Sequence, residues 1–105
     1  MRTLVINAPK AKVEQESKQS FESTLGSGVG DGYAIAGSLF AQLSAGCGVV
    51  LLDKDQRKRA EGTLVQLVPT EKTGNGIQRY DVHIKTLKIV PYSPESLNRN
   101  GVAVI

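Results

Sequence analysis

Four successive apolar residues, Val49-Val50-Leu51-Leu52, stand between Gly48 and Asp53. A strand sends alternate side chains to opposite faces, so a run that is apolar at every position needs cover on both sides. The segment reads as the central strand of a sheet, and the rest of the chain must provide a layer over each of its faces.

The 105 residues contain suitable material for this. Hydrophobic residues make up 40% and charged residues 22%, which argues against wholesale disorder, a collagen repeat and a coiled coil. Val and Ile occur in short runs broken by Gly, Pro, Asn and Asp, a pattern that predicts several brief strands rather than a helical bundle. The expected fold is mainly β (α+β): a small antiparallel or mixed β-barrel with one or two short helices, in a single domain over residues 1–105. The opening segment is apolar only from Leu4 to Ile6, too short for a secretory core or a bilayer span. A soluble, cytoplasmic protein with no membrane partner is expected. The lone Cys47 has no second cysteine with which to form an internal disulfide.

Along the chain, residues 3–6 form a first strand. The polar stretch Lys10 to Thr24 follows, in which Val13, Phe21 and Leu25 share one helical face but Ser17 interrupts it, leaving helix and loop both open. Glycine at every second position from Gly26 to Gly32 predicts a loop or hinge. Ser38 is placed to cap a short helix carrying Leu39, Phe40 and Leu43, with Gly46 as its stop and Phe40 in the core. Asp53 to Gly62 is read as an exposed, solvated hairpin end leading to the strand Thr63–Val68. Asn75-Gly76 suits a two-residue turn into a strand from Gln78, which would set Leu67 opposite Ile84, Val65 opposite Thr86 and Leu64 opposite Leu87. In that register Pro69 needs an edge or a bulge. Tyr80, Val82 and Ile84 share one phase and Leu87 and Ile89 the other, so a bulge or bend is expected near Lys85 and Thr86. Val102 to Ile105 reads as a final strand.

Little in the chain suits catalysis. The glycine loop lacks the dinucleotide spacing, because Tyr33 or Asp31 stands where the last glycine should be, and Ser38 replaces the lysine of a P-loop. One His and one Cys cannot make a zinc site, and Asp53 and Asp55 lack the later ligands of a calcium loop. A Cys47 nucleophile with His83 and Asp81 lacks anything that brings the thiol to the imidazole, and Asp81 and His83 are more simply the wet face of their strand. No cofactor or metal is expected.

The basic residues offer more. The chain carries a net charge of +3 and has a pI near 9.2. Lys54, Arg57, Lys58 and Arg59 share one hairpin end, and Arg79, Lys85 and Lys88 follow along the later strand, an arrangement able to neutralise several phosphates. Asp53, Asp55 and Glu61 lie in the same hairpin, and a merely solvated loop is the competing reading. Tyr33 and Tyr92 are the rings expected to be partly exposed and available for stacking.

The order of elements, with a short helix from Ser38, a glycine break, the strand Val49–Leu52 and two antiparallel strands ending in Tyr80–Ile84 and Leu87–Val90, resembles the small PUA-like barrels, including the EVE and ASCH families. The likeness covers roughly residues 33 to 92 and rests on element order. Gly46-Cys47-Gly48 stands where that pattern has a Gly-Asp turn, and the chain has no Trp. The resemblance implies RNA or modified-base binding through a cleft beside the barrel.

Two functions compete on these grounds. One is a non-enzymatic binding module for RNA, DNA or a modified base, using Lys54, Arg57, Lys58, Arg59 and Arg79 for phosphate and Tyr33 or Tyr92 for stacking. The other is a small accessory or interaction protein that forms a homodimer through the edge at Val102–Ile105.

Overall fold

The computed structural model describes residues 2–8, 21–97 and 101–105. Its elements are β1 (Thr3–Asn7), α1 (Phe21–Ser27), β2 (Val29–Ala34), α2 (Gly37–Phe40), β3 (Gly48–Asp53), β4 (Lys58–Lys72), β5 (Gln78–Val90) and β6 (Val102–Val104). The strands form one mixed sheet in the order β2-β5-β4-β3-β1-β6, curled into a half-barrel.

As the apolar run requires, β3 lies inside the sheet, parallel to β1 from Thr3↔Gly48 to Asn7↔Leu52 and antiparallel to β4 from Gly48↔Thr63 to Asp53↔Lys58. Val49 and Leu51 join the larger core with Leu4, Ile6, Phe21, Ala60, Leu64 and Val82. Val50 and Leu52 face the other way, where Val5, Tyr92 and Leu97 pack with them. Each such side chain, fully buried, stabilises the fold by about 1.5–3 kcal/mol. The second layer therefore comes from the irregular segment 91–97. β6 closes the sheet against β1, continued by paired bonds between Thr3 and Ile105 of 2.8 and 2.9 Å.

β4 and β5 form a long twisted ribbon, but in a register different from the expected one. Leu67 faces Val82 and Leu64 faces Ile84. Thr73 to Ile77 make the connection, with the Gly76 N–H donating to Thr73 O at 2.9 Å and Gly76 at φ +81. Asn75 does not share the positive φ, so this is a three-residue loop with a glycine bulge rather than a two-residue turn. Further irregularities between Pro69 and Lys72 and between Leu64 and Gln66 shift the pairing again, leaving Val65 42% exposed at the second. Pro69 lies in the part of β4 that β3 does not reach, where its missing N–H is tolerated.

The expected change of phase in β5 is present. Glu61 faces Lys88 and Thr63 faces Lys85, so Gly62 alone opposes Thr86 and Leu87. Thr86 takes φ 53, and a Cβ on Gly62 would lie 2.7 Å from Ile84 Cγ2 and 2.8 Å from Lys85 O. The bulge requires glycine on one strand and bends the other.

Three local expectations are corrected. Part of the glycine-rich stretch is strand, because β2 pairs with β5 along its edge. Across the break in that pairing the Gly32 N–H donates to Asp81 Oδ1 at 3.0 Å and Arg79 Nη1 donates to Gly32 O at 2.7 Å. These side-chain bonds supply what an unaided glycine backbone lacks. The second helix is a single turn that ends at Phe40 well before Gly46, with Ala36 rather than Ser38 at its N-cap. Phe40 is not core: it is 39% exposed and stacks on Tyr80 with centroids 4.8 Å apart.

Urea unfolding tests the bulge. Gly62→Ala is expected to lower stability by about 1–3 kcal/mol through overpacking, whereas Thr86→Gly, which relieves a β-branched residue of positive φ, should raise it by up to about 1 kcal/mol.

Candidate functional site

The β3–β4 hairpin turns through residues 54–57. Asp53, expected as a solvated charge, is buried at its base, and its carboxylate accepts the Gln56 N–H at 3.0 Å and Gln56 Nε2 at 2.9 Å. This side-chain-closed turn delivers Arg57 at φ 53, a conformation that costs a non-glycine residue about 1–2 kcal/mol. The Arg57 guanidinium lies over the Tyr92 ring, 4.9 Å from its centroid.

Beside this turn is a groove of about 240 Å³ lined by Phe21, Glu22 and Leu25 of α1, Arg57, Lys58 and Arg59, and Ile89 and Val90 at the end of β5. Its floor is apolar. Ile89, 68% exposed although its cross-strand partner Ala60 is fully buried, is the most exposed large hydrophobic residue among the described residues. The rim is cationic, and its three cations differ in how they are held. Arg59 is committed: Nε meets Glu61 Oε2 at 3.0 Å, and Nη1 meets Ser93 O at 2.9 Å and Glu95 Oε1 at 3.5 Å, with the side chain only 11% exposed. Lys58 Nζ donates to Glu22 Oε1 at 2.8 Å and lies over the Phe21 ring, 5.9 Å from its centroid. Arg57 has no carboxylate partner among the described residues.

Of the residues singled out from the sequence, Lys54, Arg57, Lys58, Arg59 and Tyr92 gather at this end of the sheet. Arg79 and Tyr33 do not. Arg59 faces Val90 at the end of β5, while Arg79 and Tyr33 pair with Ala34 and Tyr80 near its beginning. Arg79 is engaged with Gly32, as described above. Tyr33, expected to be partly exposed, is 3% exposed within the main core. Burial raises its hydroxyl well above the ordinary tyrosine value, with the charge of Asp31 adding to the effect. A ring so enclosed has no face to offer a base.

Cys47 is buried in the main core, which also holds Ile84, and its sulfur accepts the Ser44 N–H at 3.4 Å. His83, one residue before Ile84 in the strand, faces the opposite side, so thiol and imidazole do not meet. Among the described residues no group of three or more His, Cys, Asp or Glu is arranged to hold a metal ion, and no helix is long and apolar enough to cross a membrane.

Sequence reasoning did not identify the groove's floor. Phe21 and Leu25 stood out as one helical face and Ile89 as the second phase of β5, but nothing in their spacing shows that these segments converge. Glu22 carried no signal at all. Comparison of the chain with protein-family models, curated proteins and solved structures finds no match, so the functional reading rests on residues and geometry.

The Glu22 carboxyl is held below the usual carboxylate range, chiefly by the hydrogen bond from Lys58. Its contribution to stability is therefore complete above the unfolded-state value and lost as pH falls through the lowered folded-state value. With side chains 41% and 53% exposed, the pair contributes about 0.2–1 kcal/mol. Carboxyl NMR titration should show Glu22 moving up to the ordinary range in Lys58→Met; an unchanged midpoint would refute the pairing.

Proposed function

We propose that this protein is a non-enzymatic binding module for single-stranded nucleic acid, with its site at the β3–β4 hairpin end. The observation that carries the reading is the ring of three successive cationic side chains, Arg57, Lys58 and Arg59, around an apolar groove of about 240 Å³. Arg57 and Lys54 are exposed and meet backbone phosphates, assisted by Lys58. A base rests on Leu25 and Ile89, above the buried Phe21, where burial of apolar surface favours a flat ring over water. Arg59 serves a different purpose, fixing the wall of the groove. The likeness in element order to PUA-like barrels points to the same class of ligand.

Arg57 distinguishes binding from folding. It occupies a positive-φ position that glycine fills without strain, so relief of that strain offsets loss of the contact with Tyr92 when the guanidinium is removed. In fluorescence anisotropy at low salt, short single-stranded RNA or DNA should saturate, with log K falling against log salt at a slope of about −2 for three phosphates. Arg57→Gly should weaken that binding about tenfold while unfolding no more easily than the wild type. Absence of saturable binding to any single strand sinks the proposal.

A second reading, homodimerisation by strand pairing through β6, is favoured by the position of that strand at the sheet edge and by the 53% exposure of Ile105. Sedimentation equilibrium at high protein concentration should then show a dimer that Ile105→Lys weakens; a monomer throughout excludes it.

A further inference from the structure

We infer that Glu22 is a built-in occupant of the groove's phosphate position, so that an anionic ligand binds by displacing this carboxylate from Lys58. The inference rests on the nucleic-acid reading above and describes how the same site is regulated.

Each of the three rim cations is placed differently for an incoming anion. Arg59 is almost enclosed and shared among Glu61, Glu95 and the Ser93 carbonyl, so a ligand gains little from it without dismantling the wall. Arg57 has no carboxylate to lose among the described residues. Lys58 lies between these extremes, because its carboxylate partner among the described residues belongs to α1, 36 residues earlier in the chain, and both side chains remain partly open to solvent. A carboxylate oxygen and a phosphate oxygen are equivalent acceptors for an ammonium group. The 2.8 Å bond from Lys58 therefore marks where a ligand oxygen would sit, and the exposure of the pair makes the exchange possible without unfolding.

The position of Glu22 is enforced by its neighbour. Phe21 is 1% exposed and packs in the main core, which anchors this end of α1 and holds the Glu22 side chain over the groove. This anchor and the bond from Lys58 keep the carboxylate at the mouth of the groove instead of free in solvent. A singly charged anion gains from Lys58 only what Glu22 gives up. A phosphate group with more than one charge that reaches Arg57 at the same time gains more than it displaces, so the carboxylate acts as a threshold against weak anions.

The test uses the full chain and inorganic pyrophosphate, followed through the backbone amide resonances of Arg57, Lys58 and Arg59. Removing one negative charge about 4 Å from a bound anion in water-like surroundings is a roughly fivefold effect. Glu22→Gln should therefore tighten pyrophosphate about fivefold and allow acetate, silent in the wild type, to shift the same amides. Glu71→Gln, which removes an equal charge from the exposed far end of the β4–β5 ribbon, should change little. Three results overturn the inference: equal affinity in Glu22→Gln and wild type, an equal gain in Glu71→Gln, or no shift of these amides in any variant. Pyrophosphate is read without any oligonucleotide, so failure of this device and failure of the nucleic-acid reading are seen separately.

Discussion

The architecture depends on the burial of β3 from both sides. Five of its six residues are buried, and a strand in that position cannot belong to a sheet with one wet face. On one side the curl of the sheet and α1 provide the cover, and on the other residues 91–97 do so in extended, irregular form. The half-barrel follows, because a sheet that must enclose a core on its inner face curls. The bulge at Gly62 supplies part of that bend by letting β5 change phase as it passes the middle of β4.

The same double cover places the candidate site. The hairpin between β3 and β4 emerges where α1 ends one layer and segment 91–97 begins the other. Arg57 reaches Tyr92 on one side and Lys58 reaches Glu22 on the other. The charges drawn together there are not equivalent once their partners are counted. Runs of basic residues are commonly read by sign alone, yet here three adjacent cations divide into a structural clip, a carboxylate-held ammonium and a guanidinium that, among the described residues, has a ring for a partner and no carboxylate.

Much of the fold was legible because it depends on local alternation. Val49 to Leu52, the phase change in β5 and the closing strand at Val102 all reflect the two-residue period of a strand. Where the reading missed, a longer-range contact had intervened. The register of β4 and β5 depended on the loop at Gly74 to Gly76 and on two further irregularities, each of which shifts the count while keeping apolar residues opposed. Leu67 thus met Val82 in place of Ile84 without loss of burial. β2 was unreadable because Asp81 and Arg79, nearly fifty residues away, hold Gly32 in place. Tyr33 and Phe40 exchanged their expected environments for a similar reason: an aromatic ring gives no indication of which face its strand or helix will present. The cationic hairpin was evident from composition, whereas its apolar floor was assembled from three segments and left no trace in any one of them.

Arg59 ties two distant parts of the molecule together. Its guanidinium holds the Ser93 carbonyl and the Glu95 carboxylate, and on either side of them in the chain Tyr92 and Leu97 cover Val50 and Leu52. One planar group thus works as a rivet through the lower cover. Peeling that cover away would expose Val50 and Leu52 of the central strand to water at once, so detachment of residues 91–97 and opening of the outer core amount to a single cooperative event.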